Sequence, residues 1–501
     1  MPSTDTDVLI AGAGPAGLAL AIDLRRRGVA HRVISAADGG FEGSRAKGVQ
    51  PRTLEVLDDL GALETVQAHS RLYPKLGLHL GPLTVSKTMI KRHPASEDVP
   101  HPNSLMVAQY DTDAALRGRL AELGGTVKFG IRLSTYTADA RGATATVERA
   151  DGGSEQIRAR FLVGADGGGS TVRRTSGIDF PGTTDESDRM IVADLSLDGL
   201  SADRWHVWPR HAGRFMALCP LPDGTFQLML KLRPEEKADL DREAIARMIG
   251  DFVGRANITV REIHWSSVWR PNIRLAASYR SGPVLLVGDA AHVHPPTGGQ
   301  GMNTGIQDAY NLGWKLAQVL AGAPDALLDT YQAERRPVAA RVLGLSSEIY
   351  DSMNSRPLAG TKRGDEERQL TLSYAGGPLA PDAAGSPGPR PGDRAPDAAY
   401  TDTEGRTGRL HQAFRGTHFT LLALGTQARP AADGLARPAG GAEIRILAVA
   451  DPAGALRQHY APAGPALVLV RPDGYIAATA SAADTSAIEN FLALAAPART
   501  A

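Results

Sequence analysis

The stretch that decides the fold is DVLIAGAGPAGLALAIDLRRRG, residues 7–28. It opens on a short apolar run, Val8–Ala11, and turns through Gly12-x-Gly14-x-x-Gly17. Apolar residues then recur at helical spacing over Leu18–Arg27 until Gly28 ends the pattern. HRVIS, residues 31–35, reads as the next strand. Strand, glycine turn, helix and strand in this order predict a dinucleotide-binding α/β unit. Gly12 permits the tight turn, Gly14 lets backbone approach a pyrophosphate, and Gly17 allows close helix–strand packing. Pro15 and Ala16 open the helix, whose free N–H groups and dipole suit phosphate. Arg25–Arg27 read as a solvated helix end, where cations complement the dipole.

Such a unit usually carries an acidic residue at the end of the second strand, for the ribose. Here the strand ends in Ser35, and Asp38 follows three residues later. Either could serve the ribose, Ser35 without a carboxylate's charge and Asp38 from the loop.

Working outward, glycine clusters again at two distant strand ends. The first is RFLVGADGGGSTVRR, residues 160–174, with Asp166 after a strand. The second is VLLVGDAAHVHPPTGGQGMN, residues 284–303, where Asp289 ends an apolar strand and a proline-stiffened loop enters a helix. Three glycine-rich strand ends fit one long dinucleotide held at several points. No second complete GxGxxG marks a separate nicotinamide domain.

Between these sites the periodicity changes. Residues 142–161 alternate as a hairpin about Asp151-Gly152-Gly153. Residues 187–233 also read as antiparallel strands, with Pro222-Asp223-Gly224 as one turn. Residues 376–396 are rich in proline and glycine and read as a linker. Beyond it FTLLALG, IRILAVA, ALVLVR and RPDGYIAAT are strands of a further α/β domain.

The chain has 501 residues, with 55 basic and 55 acidic side chains. That balance argues against nucleic acid and against capture by an acidic membrane. No apolar run reaches the roughly 18 residues a membrane helix needs. The lone cysteine, Cys219, excludes a disulfide framework and suits a cytoplasmic setting.

GxGxxG, then a DG site, then GDAAHxxPPxGGQGMN together resemble the single-component FAD-dependent aromatic monooxygenases, close to the polyketide-tailoring hydroxylases. SRAKGVQPRTLEVLDDLG (44–61) and YQAERRPVAARV (331–342) are similar to that family as well. The resemblance implies an α/β fold in which an FAD-binding Rossmann-like domain (1–75, 102–182, 276–350) interleaves with an antiparallel-sheet substrate domain (76–101, 183–275). A helical connector and linker (351–390) then leads to a thioredoxin-like α/β domain (391–501), which without cysteine has no thiol–disulfide chemistry.

The resemblance also implies residue roles. Gly12, Gly14, Pro15, Ala16 and Gly17 hold the FAD diphosphate, with Ser35 at the ribose position. Arg45 and Gln109 match FAD contacts, Asp166 lies in the DG motif, and Asp289 matches the residue bonded to the ribityl chain. Pro296, Gly299, Gly301, Met302 and Asn303 run past the isoalloxazine; Arg45 and Pro296 are the nearest to catalytic candidates. NADPH or NADH reduces FAD, and a flavin C4a-hydroperoxide hydroxylates a polycyclic phenolic substrate with molecular oxygen. The implied partners are that substrate and oxygen, with no nucleic acid, no membrane and a monomer or homodimer. Baeyer–Villiger insertion, antibiotic inactivation and a flavin-dependent reductase or dehydrogenase are the alternatives.

Alternation separates Phe215, Ala217 and Cys219 from Met216 and Leu218, and Phe226, Leu228 and Leu230 from Gln227, Met229 and Lys231. One face lines the substrate pocket, and spacing does not choose between them. Trp208, Met216, Leu218 and Phe226 are taken as the substrate-binding candidates. Cys219 reads as a small buried hydrophobe. His292-x-His294 lacks a third ligand in sequence, so no metal is expected. Trp205 and Trp208 have the wrong spacing for a halogenase signature, for which Lys75 would be the nearest lysine, and fit the sheet as core or pocket wall.

Overall fold

The computed structural model describes residues 4–209, 214–254, 258–295, 299–355, 365–381, 390–450, 453–460 and 464–498. Strand Thr6–Ala11 lies at the centre of an eight-stranded sheet. It pairs in parallel with His31–Ile34 on one side and Ser154–Gly164 on the other. Val8, Leu9 and Ile10 are all fully buried, as a parallel strand covered on both faces requires. Val284–Leu286 extends the sheet in parallel beyond Ser154–Gly164. The three glycine-rich loops therefore leave adjacent strands at one sheet edge, where α/β folds bind ligands. The expected hairpin is present, with Gly142–Arg149 antiparallel to Ser154–Gly164.

Helix Pro15–Arg26 packs against helix Gly301–Leu320. Arg26 and Arg27 are not solvated: both bond to the buried Asp23, at 3.0 and 2.9 Å, and Arg26 also reaches Asp59. The charges expected to face water are absorbed by an acid one turn earlier and by the C-terminal domain, through the Thr417 carbonyl.

The second sheet has seven strands, in the order Thr259–Trp269, Met190–Asp198, Phe226–Lys231, Phe215–Pro220, Arg204–Pro209, Lys75–Leu80, Leu83–Lys87. Helix Arg242–Val253 contributes Ile245, Ile249 and Phe252 to a core under one face, against Ile191, Leu218 and Leu228. The other face looks towards the first sheet.

The C-terminal domain has a four-stranded sheet in the order Ile444–Val449, Phe419–Leu424, Ala466–Val470, Ile476–Ser481. The first two strands are parallel and the last two antiparallel, with helices between, which is the thioredoxin-like arrangement. It docks through a buried charge cluster. Arg471 bonds to Glu334 at 2.6 and 2.9 Å and to Asp473, and Lys315 bonds to Glu334 at 2.8 Å. Burial pushes the Glu334 carboxyl up, but Arg471 and Lys315 outweigh it and hold the group at about 2. Among the described residues no helix is long and apolar enough to cross a membrane.

Candidate active site

A cavity of about 1270 Å³ runs between the two sheets. At one end it is lined by Ala13, Gly14, Pro15 and Ala16 of the first glycine turn. A Cβ on Gly14 would meet no atom within 4 Å, so backbone here is open to a ligand. A Cβ on Gly12 would lie 2.1 Å from the Ala165 carbonyl oxygen, and one on Gly17 would lie 2.1 Å from that of Gly12. Gly12 and Gly17 thus fold the turn, while Gly14 faces the cavity. Helix Pro15–Arg26 has no side-chain cap, and neither has helix Gly301–Leu320. Both leave N–H donors at the cavity, suited to an anion or an electron-rich ring.

Ser35, Arg45, Gln109, Asp289, Gly299, Gly301 and Met302 also line it. Arg45 spreads its guanidinium over Phe41 and Trp265, 5.6 and 5.9 Å from the ring centres. Gly288 adopts φ +58°, and a Cβ there would press on Ala16 at 3.1 Å. That close approach places Asp289, exposed on the cavity wall, beside the first turn. Pro296 lies outside the described residues.

Two expected contacts act indirectly. Asp166 does not line the cavity. Its carboxylate accepts from the backbone N–H of Thr171 and Val172, at 2.7 and 3.1 Å, and so fixes the turn that presents Gly167–Gly169. Asn303 likewise braces the wall: it donates to Gly48 and Gly299 carbonyls and accepts from the Gln50 N–H.

The expectation for the substrate face is corrected. Trp208, Met216, Leu218 and Phe226 point into the core over helix Arg242–Val253 and do not line the cavity. The face that does carries Val192, Trp205, Val207, Phe215, Ala217 and Met229. The physical reason is the helix, which needs the uniformly apolar face to bury its own apolar stripe. Gln227 on the other face was the sequence signal, because a polar residue inside a sheet face marks a side that is not pure core. Trp208 instead stacks on His79, with ring centres 4.3 Å apart. Cys219 is buried beside Met106, and burial pushes its thiol up to about 11. Lys75 is exposed and does not line the cavity, although its neighbour Leu76 does.

Other cavity residues were not anticipated. Lys47 donates to Gln227 and sits 4.9 Å from the Trp205 ring centre. Gln227 in turn donates to Ser44, whose N–H bonds to the buried Asp194 at 2.7 Å. The Trp205 Nε1–H is buried with no partner among the described residues. Glu367 and Arg368, from the connector, reach the cavity near helix Gly301–Leu320. Gln369, at φ +58°, anchors them by bonding to both Gln300 and Gln307. His292 is tied to Asp308 at 2.6 Å, behind the loop; Asp308 also bonds to Arg335 at 2.7 Å.

A dinucleotide cradle opening into an aromatic-walled chamber defines an enzyme that holds a redox cofactor against an apolar substrate. The donor set fits FAD: open backbone at Gly14, two uncapped helix starts and a carboxylate at Asp289. A family model described as FAD binding domain matches residues 5–346, and one described as aromatic-ring hydroxylase, C-terminal, matches residues 388–496. The chain belongs to this family of FAD-dependent aromatic-ring monooxygenases. It is 40% identical over 478 residues to a flavin-dependent monooxygenase of Mycobacteroides abscessus, covering 94% of this chain and 96% of that one. It is 36% identical to the 12-dehydrotetracycline 5-monooxygenase/anhydrotetracycline 6-monooxygenase of Streptomyces rimosus, over 95% of each chain. Among solved structures, aklavinone-11 hydroxylase in complex with FAD and aklavinone superposes with a TM-score of 0.81 at 26% identity, covering 98% of this chain and 99% of that one.

Proposed function

We propose that the enzyme uses NADPH or NADH and molecular oxygen to hydroxylate a polycyclic phenolic substrate. The balance is substrate, O₂, NAD(P)H and a proton giving hydroxylated substrate, NAD(P)⁺ and water. The observation that carries this reading is one continuous cavity joining the dinucleotide cradle to the Trp205, Phe215 and Met229 face. The relatives named for anhydrotetracycline and aklavinone point the same way.

Bound FAD supplies the chemistry of hydride acceptance and oxygen activation. The chain's own residues bind, orient and exclude water. Gly14 and the start of helix Pro15–Arg26 would hold the diphosphate, Asp289 would accept from a cofactor hydroxyl, and Arg45 and Gln109 would brace the cofactor from the same cavity. The first N–H groups of helix Gly301–Leu320 would favour negative charge on a bound ring. On the substrate side, the Lys47 cation, held by Gln227 beside the aromatic wall, favours an ionised phenol, whose ring is the stronger nucleophile. The Trp205 N–H supplies a donor for a substrate oxygen. The aromatic wall keeps water from the reacting atoms.

Turnover with anthraquinone-like, angucycline-like and simple phenolic compounds tests the reading. Substrate-stimulated NAD(P)H oxidation with a gained hydroxyl supports it. An ester formed from a ring ketone, or NAD(P)H oxidation without oxygen in the product, contradicts it.

A further inference from the structure

We propose that Asp113 is the acidic anchor of the FAD adenosine ribose, supplied by helix Gln109–Glu122 in place of the residue that strand His31–Ile34 lacks. The inference rests on the assignment of FAD to the cavity. In dinucleotide folds a carboxylate at the end of the second strand takes the ribose hydroxyls. Ser35 stands there, and its hydroxyl oxygen already accepts from the Ala37 N–H at 3.3 Å.

Asp113 lines the same cavity and is 1% exposed. Neither carboxylate oxygen makes a well-formed hydrogen bond among the described residues, although the Gln109 amide lies close enough to favour its charged form. A buried, unsatisfied carboxylate is destabilising, and native chains keep one where it has work to do. Its place on the helix fits the ribose. One turn earlier, Gln109 accepts from the Ala46 N–H. One turn later, the Arg117 guanidinium packs against Gly40, where a Cβ would approach within 2.6 Å. The face made by residues 109, 113 and 117 therefore runs along the loop from Ser35 to Lys47, with Asp113 facing its middle.

Arg117 Nη1 is also buried without a partner among the described residues. Asp113 and Arg117 are one turn apart, yet form no ion pair in the described structure. Arg117 does not line the cavity but packs behind Gly40, so the carboxylate of Asp113 alone faces a ligand there, where it can accept from both hydroxyls of a vicinal diol. Burial pushes the Asp113 carboxyl up to about 7, outweighing the hydrogen-bonding pull of Gln109 and the charge of Arg117. Asp38 lines the cavity too but is exposed, so it is the natural control.

The test compares flavin-free wild type, Asp113→Asn and Asp38→Asn at pH 8. FAD, FMN, ADP and 2′-deoxy-ADP are titrated, with tryptophan and flavin fluorescence as readouts. Wild type is expected to bind FAD and to prefer ADP over 2′-deoxy-ADP. Asp113→Asn is expected to weaken FAD and ADP by about tenfold or more, to leave FMN unchanged, and to lose the ADP preference. Its flavin-free thermal midpoint is expected to equal or exceed wild type, because an unpaired buried charge is gone. Asp38→Asn is expected to bind as wild type does. Unchanged FAD affinity in Asp113→Asn overturns the proposal, as does weakened FAD with unchanged ADP. A fall in thermal midpoint that parallels the affinity loss assigns Asp113 a structural role and also overturns it. Wild type that binds ADP but not FAD overturns the FAD reading itself.

Discussion

Removing the guanidinium that ties the thioredoxin-like domain to the FAD domain gives the sharpest stability prediction. Arg471 is 1% exposed and bridges Glu334 and Asp473, which are equally buried. Asp473 also accepts from Trp314 Nε1 and Asn311 Nδ2, both at 3.2 Å. Arg471→Met keeps much of the apolar stem but leaves two carboxylates facing one lysine, Lys315. Breaking a buried pair in this way costs about 3–5 kcal/mol. Glu334 keeps Lys315 and Asn311, and Asp473 keeps Trp314 and Asn311, so the lower end of that range is expected.

The assay is equilibrium urea denaturation of wild type, Arg471→Met and Arg471→Lys, followed by tryptophan fluorescence. Trp314 lies in the cluster and reports its opening. Arg471→Lys restores the charge but not the two-pronged geometry, so it should recover only part of the loss. A loss below about 1 kcal/mol in Arg471→Met would match an exposed pair and rule out a stabilising buried cluster. The pH direction follows. Glu334 is held at about 2 against an ordinary value of 4.5. Its contribution is present above pH 4.5 and is lost as pH falls from there towards 2. Glu334→Gln should remove that acid-sensitive step in the unfolding profile.

Three further outcomes are expected. Gly14→Leu should match flavin-free wild type in thermal midpoint but fail to retain FAD, while Gly17→Ala should lower the flavin-free midpoint itself, since its Cβ would overlap the Gly12 carbonyl; calorimetry with flavin absorbance separates them. Asp289→Ala should weaken flavin retention through gel filtration, and unchanged flavin content would refute its placement at the cofactor. Lys47→Met and Trp205→Phe should each raise KM for a phenolic substrate by about tenfold, the worth of one to two kcal/mol, whereas Trp208→Phe should leave KM unchanged.

The cofactor half of the site was legible because backbone geometry writes itself into sequence. A turn that brings Gly12 within a Cβ's reach of Ala165 admits little but glycine, and a strand buried on both faces must read as Val-Leu-Ile. The substrate half was less legible. Alternation in Phe215–Pro220 and Phe226–Lys231 separates two faces correctly but carries no sign. Only the docking of helix Arg242–Val253 chooses between them. Arg26 and Arg27 read as solvent-facing because Asp59 and Thr417 come from distant chain. Asp113 resembles any acid on an amphipathic helix until its neighbours are known. Glu367 and Arg368 reach the cavity from a connector whose composition advertises only a linker.

Cofactor cradle and aromatic chamber are proposed to act as one hydroxylating site. Turnover under ¹⁸O₂ with NAD(P)H and a polycyclic phenol tests it most directly. One labelled oxygen atom is expected in the product as a new ring hydroxyl, with NAD(P)H oxidation stimulated by the substrate. A product without label, formed while NAD(P)H is consumed, would contradict it.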